Sequence, residues 1–242
     1  MTRILKALGL AVATAAALVA LMAPAAQAAT GVLTAEAYPA MLTAPKPGAG
    51  VTFDIGEGPL KTVQCGPSKL DGTITEPTDP VTFTPTYNAG CVAEPGAMPV
   101  TITTNGCDYS FGFTKPATTG WGQTTGAMQA WLNCPVGTQM EIHIYENAAM
   151  HAAGISLCTY DIGPQGPVAA GVYHNRPMAV PPDVDMTVNA RFTAKSTIGP
   201  EFVCGGEGLL QHLPITLTGT YTLRAFTDVG GVEGAQIGVD VG

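Results

Sequence analysis

The chain has 242 residues, 46% of them hydrophobic, 7% aromatic and only 12% charged, with 30 Gly, 20 Pro and a formal net charge of −8 at pH 7. An acidic chain without a Lys/Arg cluster cannot neutralise phosphates, which excludes nucleic acid as an expected partner, and anionic membrane surfaces repel it. Gly and Pro at this density also exclude long helices, because Pro removes a backbone donor and Gly costs roughly 1 kcal/mol in a helix interior.

Residues 1–29 read as a secretory signal peptide. Arg3 and Lys6 form its positive start, Ala7 to Met22 its apolar middle, and Pro24-Ala25-Ala26-Gln27-Ala28-Ala29 its small-residue end. The apolar run is short for a membrane span, and no cysteine stands near the cleavage site to accept a lipid, so release outside the cell is expected, with no membrane span in the mature form. Removal of the segment leaves 213 residues with eight basic and eighteen acidic side chains, a net charge of −10. That length suits one β domain over residues 30–226, or two units divided in the Thr/Gly-rich loop 114–126. Residues 227–242 are expected to be a weakly structured tail, either frayed or a weak edge strand.

From Val51 onward the chain alternates short apolar runs with turn residues. Val51 to Ile55, Leu60 to Cys65, Leu70 to Thr75 and Val81 to Thr86 are the first candidate strands. Met98 to Phe113 follows as two alternating runs around Asn105-Gly106, the pair best suited to a type I′ turn, and predicts a hairpin that sets Ile102 opposite Tyr109 and Val100 opposite Phe111. Cys107 is then expected to face the core. Further strands are predicted at Met128 to Cys134, Met140 to Tyr145, Ile155 to Ile162 and Val168 to His174. Two longer ones, Val184 to Thr193 and Pro214 to Phe226, set apolar residues against Thr, Asn, Asp and Arg at period two. Many short strands with no helical period between them predict an all-β fold, an antiparallel β-sandwich or barrel-like sheets, with almost no helix after the signal.

The six cysteines, Cys65, Cys91, Cys107, Cys134, Cys158 and Cys204, all lie downstream of the signal segment. In an oxidising compartment an even set of thiols is consumed as disulfides, and six allow fifteen pairings. The sequential pairing, 65 with 91, 107 with 134 and 158 with 204, is preferred, and the competing one joins Cys134 to Cys158 across the hairpin from Met140 to Ile162. No Cys-x-x-Cys or Cys/His cluster suggests zinc.

Several of these runs carry a resemblance. Gly31-Val32-Leu33-Thr34-Ala35, Phe53-Asp54-Ile55, Val63-Gln64-Cys65, Phe83-Thr84-Pro85-Thr86-Tyr87, Gly90-Cys91 and Thr104-Asn105-Gly106-Cys107-Asp108-Tyr109, with Leu157-Cys158-Thr159-Tyr160 and Leu217-Thr218-Gly219-Thr220-Tyr221-Thr222, resemble a family of uncharacterised secreted β proteins of high-GC soil bacteria. The resemblance covers most of the mature chain and implies a secreted β fold. The family has no assigned activity, so it transfers no catalytic residue.

Residues able to carry chemistry are few. Glu141 and His143 share a strand face, and His151 could fold back from the following turn to complete a metal triad; the competing reading is an exposed polar face opposite Met140, Ile142 and Ile144. None of the four serines sits in a Gly-x-Ser-x-Gly turn. Asp183 and Asp185, following Pro181-Pro182, are expected to be solvated, with calcium as the alternative. Trp121, in the Gly/Thr loop, could stack on a sugar ring, while Trp131 alternates with Gln129 and Ala127 and is a candidate for the core. The expectation is a secreted structural or binding module without catalysis or cofactor, facing a cell-wall or extracellular glycan or a protein. A glycan hydrolase acting through carboxylates the sequence does not locate is the alternative.

Overall fold

The computed structural model describes residues 30–46, 50–55, 60, 62–87, 90–115, 117–118, 124–204, 212–227 and 236–242. The signal-like segment and Trp121 lie outside the described residues. The first strands are β1 (Thr30–Gly31), β2 (Leu33–Ala35), β3 (Ala40–Lys46), β4 (Thr52–Asp54), β5 (Thr62–Gln64), β6 (Ser68–Ile74), β7 (Val81–Tyr87), β8 (Cys91–Glu94), β9 (Met98–Thr103) and β10 (Asp108–Thr114). They are followed by β11 (Ala117–Thr118), β12 (Thr124–Asn133), β13 (Met140–Ile144), helix α1 (Ala148–Ala153), β14 (Cys158–Ile162), β15 (Gln165–Arg176), β16 (Asp183–Ile198), helix α2 (Glu201–Cys204), β17 (His212–Thr227), β18 (Gln236–Ile237) and β19 (Val239–Val241). The expected all-β class is therefore what the chain forms, and its two described helices after the signal are short.

The strands close into two antiparallel rings of eight. The first runs β7, β10, β12, β15, β16, β17, β3, β6 and back to β7. The second runs β9, β13, β14, β16, β17, β4, β5, β8 and back to β9. Both rings contain β16 and β17, each 16 residues long. Asp183 to Val188 of β16 pairs with β15 in the first ring, and Lys195 to Ile198 pairs with β14 in the second. On β17, Arg224 to Thr227 pairs with β3, and Thr216 to Thr218 pairs with β4.

Alternation makes this sharing possible. Val184, Met186, Val188, Ala190, Phe192 and Ala194 of β16 are buried, as are Leu213, Ile215, Leu217, Tyr221 and Leu223 of β17. The intervening Asp185, Thr187, Asn189, Arg191 and Thr193 stand opposite Thr222, Thr220, Thr218, Thr216 and Pro214. An eight-stranded ring has an interior just wide enough for side chains to fill. Here Phe83, Phe111, Tyr109 and Phe192 fill the first ring in a chain of ring contacts with centroids 5.9–6.3 Å apart. Apolar residues face in and polar residues face out, the reverse of the pattern on a lipid-facing barrel. No helix among the described residues is long and apolar enough to cross a membrane.

The Asn105-Gly106 turn forms as expected, with φ of 50° and 78° and Cys107 N donating to Thr104 O at 2.8 Å. The hairpin does not. β9 passes into the second ring between β8 and β13, whereas β10 enters the first between β7 and β12. Asn105 Nδ2 donates to Gln139 O at 2.9 Å, tying the turn to the start of β13. The turn residues specify a local reversal, and an alternating face accepts whichever apolar surface the rest of the chain presents. Cys107 is fully buried, as its face predicts.

The end of the chain is paired as well. β18 lies beside β17, and β19 pairs with β2, where Val32 and Gly242 exchange backbone hydrogen bonds of 3.0–3.1 Å. Of the two expectations for the tail, the edge strand is the one its described residues adopt. The expected loop 114–126 contains β11 and the start of β12. Buried residues before and after it belong to one continuous core.

All three disulfides follow the sequential pairing. Cys65 and Cys91 stand next in register after Gln64 and Val92, and Cys107 and Cys134 after Asp108 and Asn133. Cys158–Cys204 ties β14 to α2, where Tyr160 Oη donates to Cys204 O at 2.7 Å. Peptide mapping of unreduced protein is expected to yield these three pairs and no Cys134–Cys158 peptide. Removing the 107–134 bridge as C107A/C134A is expected to lower the urea unfolding free energy by about 3–4 kcal/mol, through the added freedom of the unfolded loop.

Candidate functional site

On the outer wall of the first ring, strand register sets polar side chains in two parallel rows. Phe226 of β17 stands opposite Met41 of β3, Met41 opposite Thr73 of β6, Thr82 of β7 opposite Ser110 of β10, and Ser110 opposite Trp131 of β12. Thr73 and Thr82 are next in register after Gly72 and Phe83. The second row is Arg224, Thr43, Asp71 and Thr84, continued through Asp108 to Asn133. Hydrogen bonds run along and between the rows: Thr43 Oγ1 donates to Asp71 Oδ1 at 3.0 Å, Thr84 Oγ1 to Asp108 Oδ1 at 2.7 Å, and Asn133 Nδ2 to Ser110 Oγ at 2.7 Å. Thr82 and Ser110 share a hydrogen bond of 2.8 Å, and Lys69 Nζ lies 2.8 Å from Asp71.

At the Phe226 end the wall opens into a groove of about 900 Å³ lined by Met41, Thr43, Asp71, Thr73, Thr84 and Phe226. The lining is mixed, with hydroxyls and one carboxylate along the strands and Met41 with Phe226 at the edge. Carboxylates fixed by neighbouring hydroxyls keep free lone pairs, so the rows present acceptors and switchable hydroxyl donors rather than charge alone.

Trp131 continues the first row and is half-buried on the outer wall; the core positions of β12 are Met128, Ala130 and Leu132. The core reading of Trp131 is thus corrected. Its ring reaches over β10, where Gly112 leaves it room: a Cβ on Gly112 would stand 2.9 Å from Cζ3. Gly166 of β15 does the same at the other end of the indole, where a Cβ would stand 2.7 Å from Cδ1. Two glycines on flanking strands therefore let the indole rest against the wall. The sequence signal was an aromatic in phase with Gln129 and Asn133 and out of phase with the β12 core residues.

The residues weighed for metal binding are split between two networks on the second ring. His143 Nε2 donates to Glu141 Oε2 at 3.0 Å, and its Nδ1 lies within hydrogen-bond distance of the hydroxyls of Thr159 at 3.1 Å and Ser156 at 3.3 Å. His151, on α1, instead meets Thr101 Oγ1 at 3.1 Å and packs on Tyr145 with ring centroids 4.6 Å apart. Among the described residues, no three His, Cys, Asp or Glu side chains are placed to hold a metal ion. Both His143 nitrogens are engaged, so the ring clamps β13 to β14 and to the segment before it. Asp161 stands opposite Glu141, and burial, reinforced by the Glu141 charge, raises its pKa above the ordinary carboxylate range.

The expectation of solvated aspartates after Pro181-Pro182 is also corrected. Asp183 is buried and accepts a bidentate pair from Arg176, Nε at 2.6 Å and the terminal nitrogen at 2.7 Å, while Asp185 accepts from Thr222 Oγ1 at 2.7 Å. Arg176 pairs with Asp183 because β15 and β16 are in register at these two residues.

No family model matches the chain, and neither a curated protein nor a solved structure is measurably similar to it.

The raised pKa of Asp161 has a definite sign for stability. The folded protein binds this proton more tightly than the unfolded chain, so the contribution is fully present below the ordinary Asp pKa and lost as pH rises through the folded value. D161N is therefore expected to raise the thermal midpoint at pH 7, with the gain shrinking as pH falls toward about 4, the ordinary Asp range, and absent below it, in scanning calorimetry across that interval.

Proposed function

We propose that the protein is an exported, non-catalytic binding module, extracellular or envelope-associated, whose ligand is a hydroxyl-rich glycan held in the groove of the first ring. The observation that carries this reading is the pair of cross-strand rows that ends in the groove, where acids and hydroxyls alternate on a rigid sheet with Met41 and Phe226 at the edge. Sugar hydroxyls donate to carboxylates and accept from threonines, and the C–H faces of a sugar pack on apolar side chains. A site built on strands within a closed ring is pre-organised, which lowers the entropy cost of binding.

Three further features support export. The first residues have the order of charge, apolar run and small residues that a secretory signal needs. Three disulfides suit an oxidising compartment. The resemblance to secreted β proteins points the same way.

A second reading, a glycan hydrolase, is favoured by Asp161 and Glu141 facing each other across β13 and β14, because acid and base roles are separated where two carboxyls differ in proton affinity. The two readings divide on retention and turnover. The binding module is expected to be retained on insoluble cell-wall fractions and on a glycan panel, with D71A/T84A weakening retention by about ten-fold and with no reducing ends released. Absence of retention, together with turnover abolished by E141Q or D161N, would establish the hydrolase instead.

A further inference from the structure

We propose that Trp131, Asp79 and Gln129 form a second binding site, for one pyranose ring of a neutral sugar, on the part of the first ring's outer wall built by β10 and β12. None of the three lines the groove, so this site stands or fails independently of the groove.

The three residues meet around Gly112. A Cβ on Gly112 would lie 2.9 Å from Trp131 Cζ3, 3.0 Å from Cη2 and 3.4 Å from Asp79 Oδ1. Gln129 stands opposite Gly112 in the register of β10 and β12 and is exposed. The benzo edge of the indole and a carboxylate oxygen therefore converge on one point of the wall, with an amide across the ladder from it.

Each part is held before a ligand arrives. Phe113 N donates to Asp79 Oδ1 at 3.0 Å, which fixes the carboxylate against β10. The indole rests on the wall because Gly112 at its benzo edge and Gly166 beside Cδ1 have no side chain to lift it. Six consecutive pairs, from Asp108 with Asn133 to Phe113 with Met128, join the two strands, and the Cys107–Cys134 bridge stands next in register. A site carried on paired strands loses little freedom on binding.

The chemistry of these groups selects the ligand. A half-buried indole lying on a sheet turns one flat face to solvent, and its electron-rich surface attracts the C–H side of a pyranose. An ionised carboxylate has about four lone-pair sites. With one given to Phe113 N, Asp79 keeps acceptors for two sugar hydroxyls, while Gln129 offers both a donor and an acceptor. Burial raises the pKa of Asp79 against the lowering effect of the Phe113 amide, the mark of a carboxylate partly withdrawn from water, where the hydrogen bonds it accepts are stronger. The same carboxylate repels a uronate. A quaternary ammonium also pairs an aromatic face with a negative charge, but its sites enclose it in several aromatic rings. On β10 and β12 the other aromatics, Tyr109, Phe111 and Phe113, are buried, so Trp131 offers a single open face.

The test uses W121F protein, in which Trp131 is the single tryptophan and its emission reports the site directly. It is titrated with cellotriose, mannotriose, xylotriose and triacetylchitotriose, and with trigalacturonate and choline as charged controls. A saturable change with at least one neutral trisaccharide, and none with either control, is expected, and it is expected to persist when D71A/T84A is added to disable the groove. D79N keeps an oxygen for the Phe113 amide and is expected to weaken binding about ten-fold. By calorimetry W131A is expected to lose about ten-fold or more, as an aromatic anchor does; should W131A fail to fold by circular dichroism, W131F, expected to keep part of the affinity, and D79N decide the matter. No emission change with any neutral trisaccharide would overturn the site whatever the groove binds, and so would unchanged affinity in D79N or saturable binding of choline. A response lost in D71A/T84A would overturn its independence from the groove.

Discussion

Everything in this molecule depends on the ladder between β16 and β17. Twelve consecutive residue pairs, from Val184 with Leu223 to Lys195 with His212, hold two strands that are each long enough to serve two rings. Because side chains alternate with period two, one register places Val184 to Ala194 of β16 and Leu213 to Leu223 of β17 with their alternate apolar residues inside together. A slip of one residue would invert that for both rings at once. The fold is therefore cooperative through one seam, and the three disulfides act at its periphery, on β5 and β8, on β10 and β12, and on β14 with α2.

The outer wall inherits its order from that seam. Once the interior of the first ring is filled by Phe83, Phe111, Tyr109 and Phe192, the alternate positions of its strands must face outward, and antiparallel register aligns them across the sheet. The rows of Thr, Asp, Ser and Asn follow from core packing. The exceptions are outward positions that are apolar or have no side chain: Met41, Phe226 and Trp131 on one hand, Gly112 beneath the indole on the other. The second ring uses its outer polar residues differently, since the Glu141–His143–Ser156 network joins elements to each other.

Much of this was legible in the residues, and the failures have physical causes. The alternation in β16, β17 and β10 was plain because each has a continuous apolar face. The sequential pairing was preferred from the residues, and two of the three bridges join neighbouring strands of one ring, while the third ties β14 to α2. The partner of β9 was not, because Asn105-Gly106 dictates a reversal of direction and says nothing about which strand completes the ladder. β3 was overlooked because Ala40-Met41-Leu42-Thr43-Ala44-Pro45-Lys46 is poor in β-branched residues; its two-sided pairing, with Pro45 beyond the stretch that meets β17, compensates. Asp183 looked solvated because its partner, Arg176, is brought opposite it only by the turn between β15 and β16. Trp131 shares the phase of Ala127 and Gln129, and because these two are exposed and Leu132 is buried, that phase places it outward and not in the core.

The position of β17 near the end of the chain has a consequence for how the protein is made. β3 and β4, among the earliest strands, find their partners on residues 216–227, and β2 finds its partner on β19. A polypeptide emerging N-terminus first thus carries half-built walls, with their oily sides uncovered, until nearly all of it has been delivered. Neither ring can shut before that moment, so maturation is concentrated in a single late event, and a chain stalled short of its last thirty or so residues is left open to sticking to its neighbours.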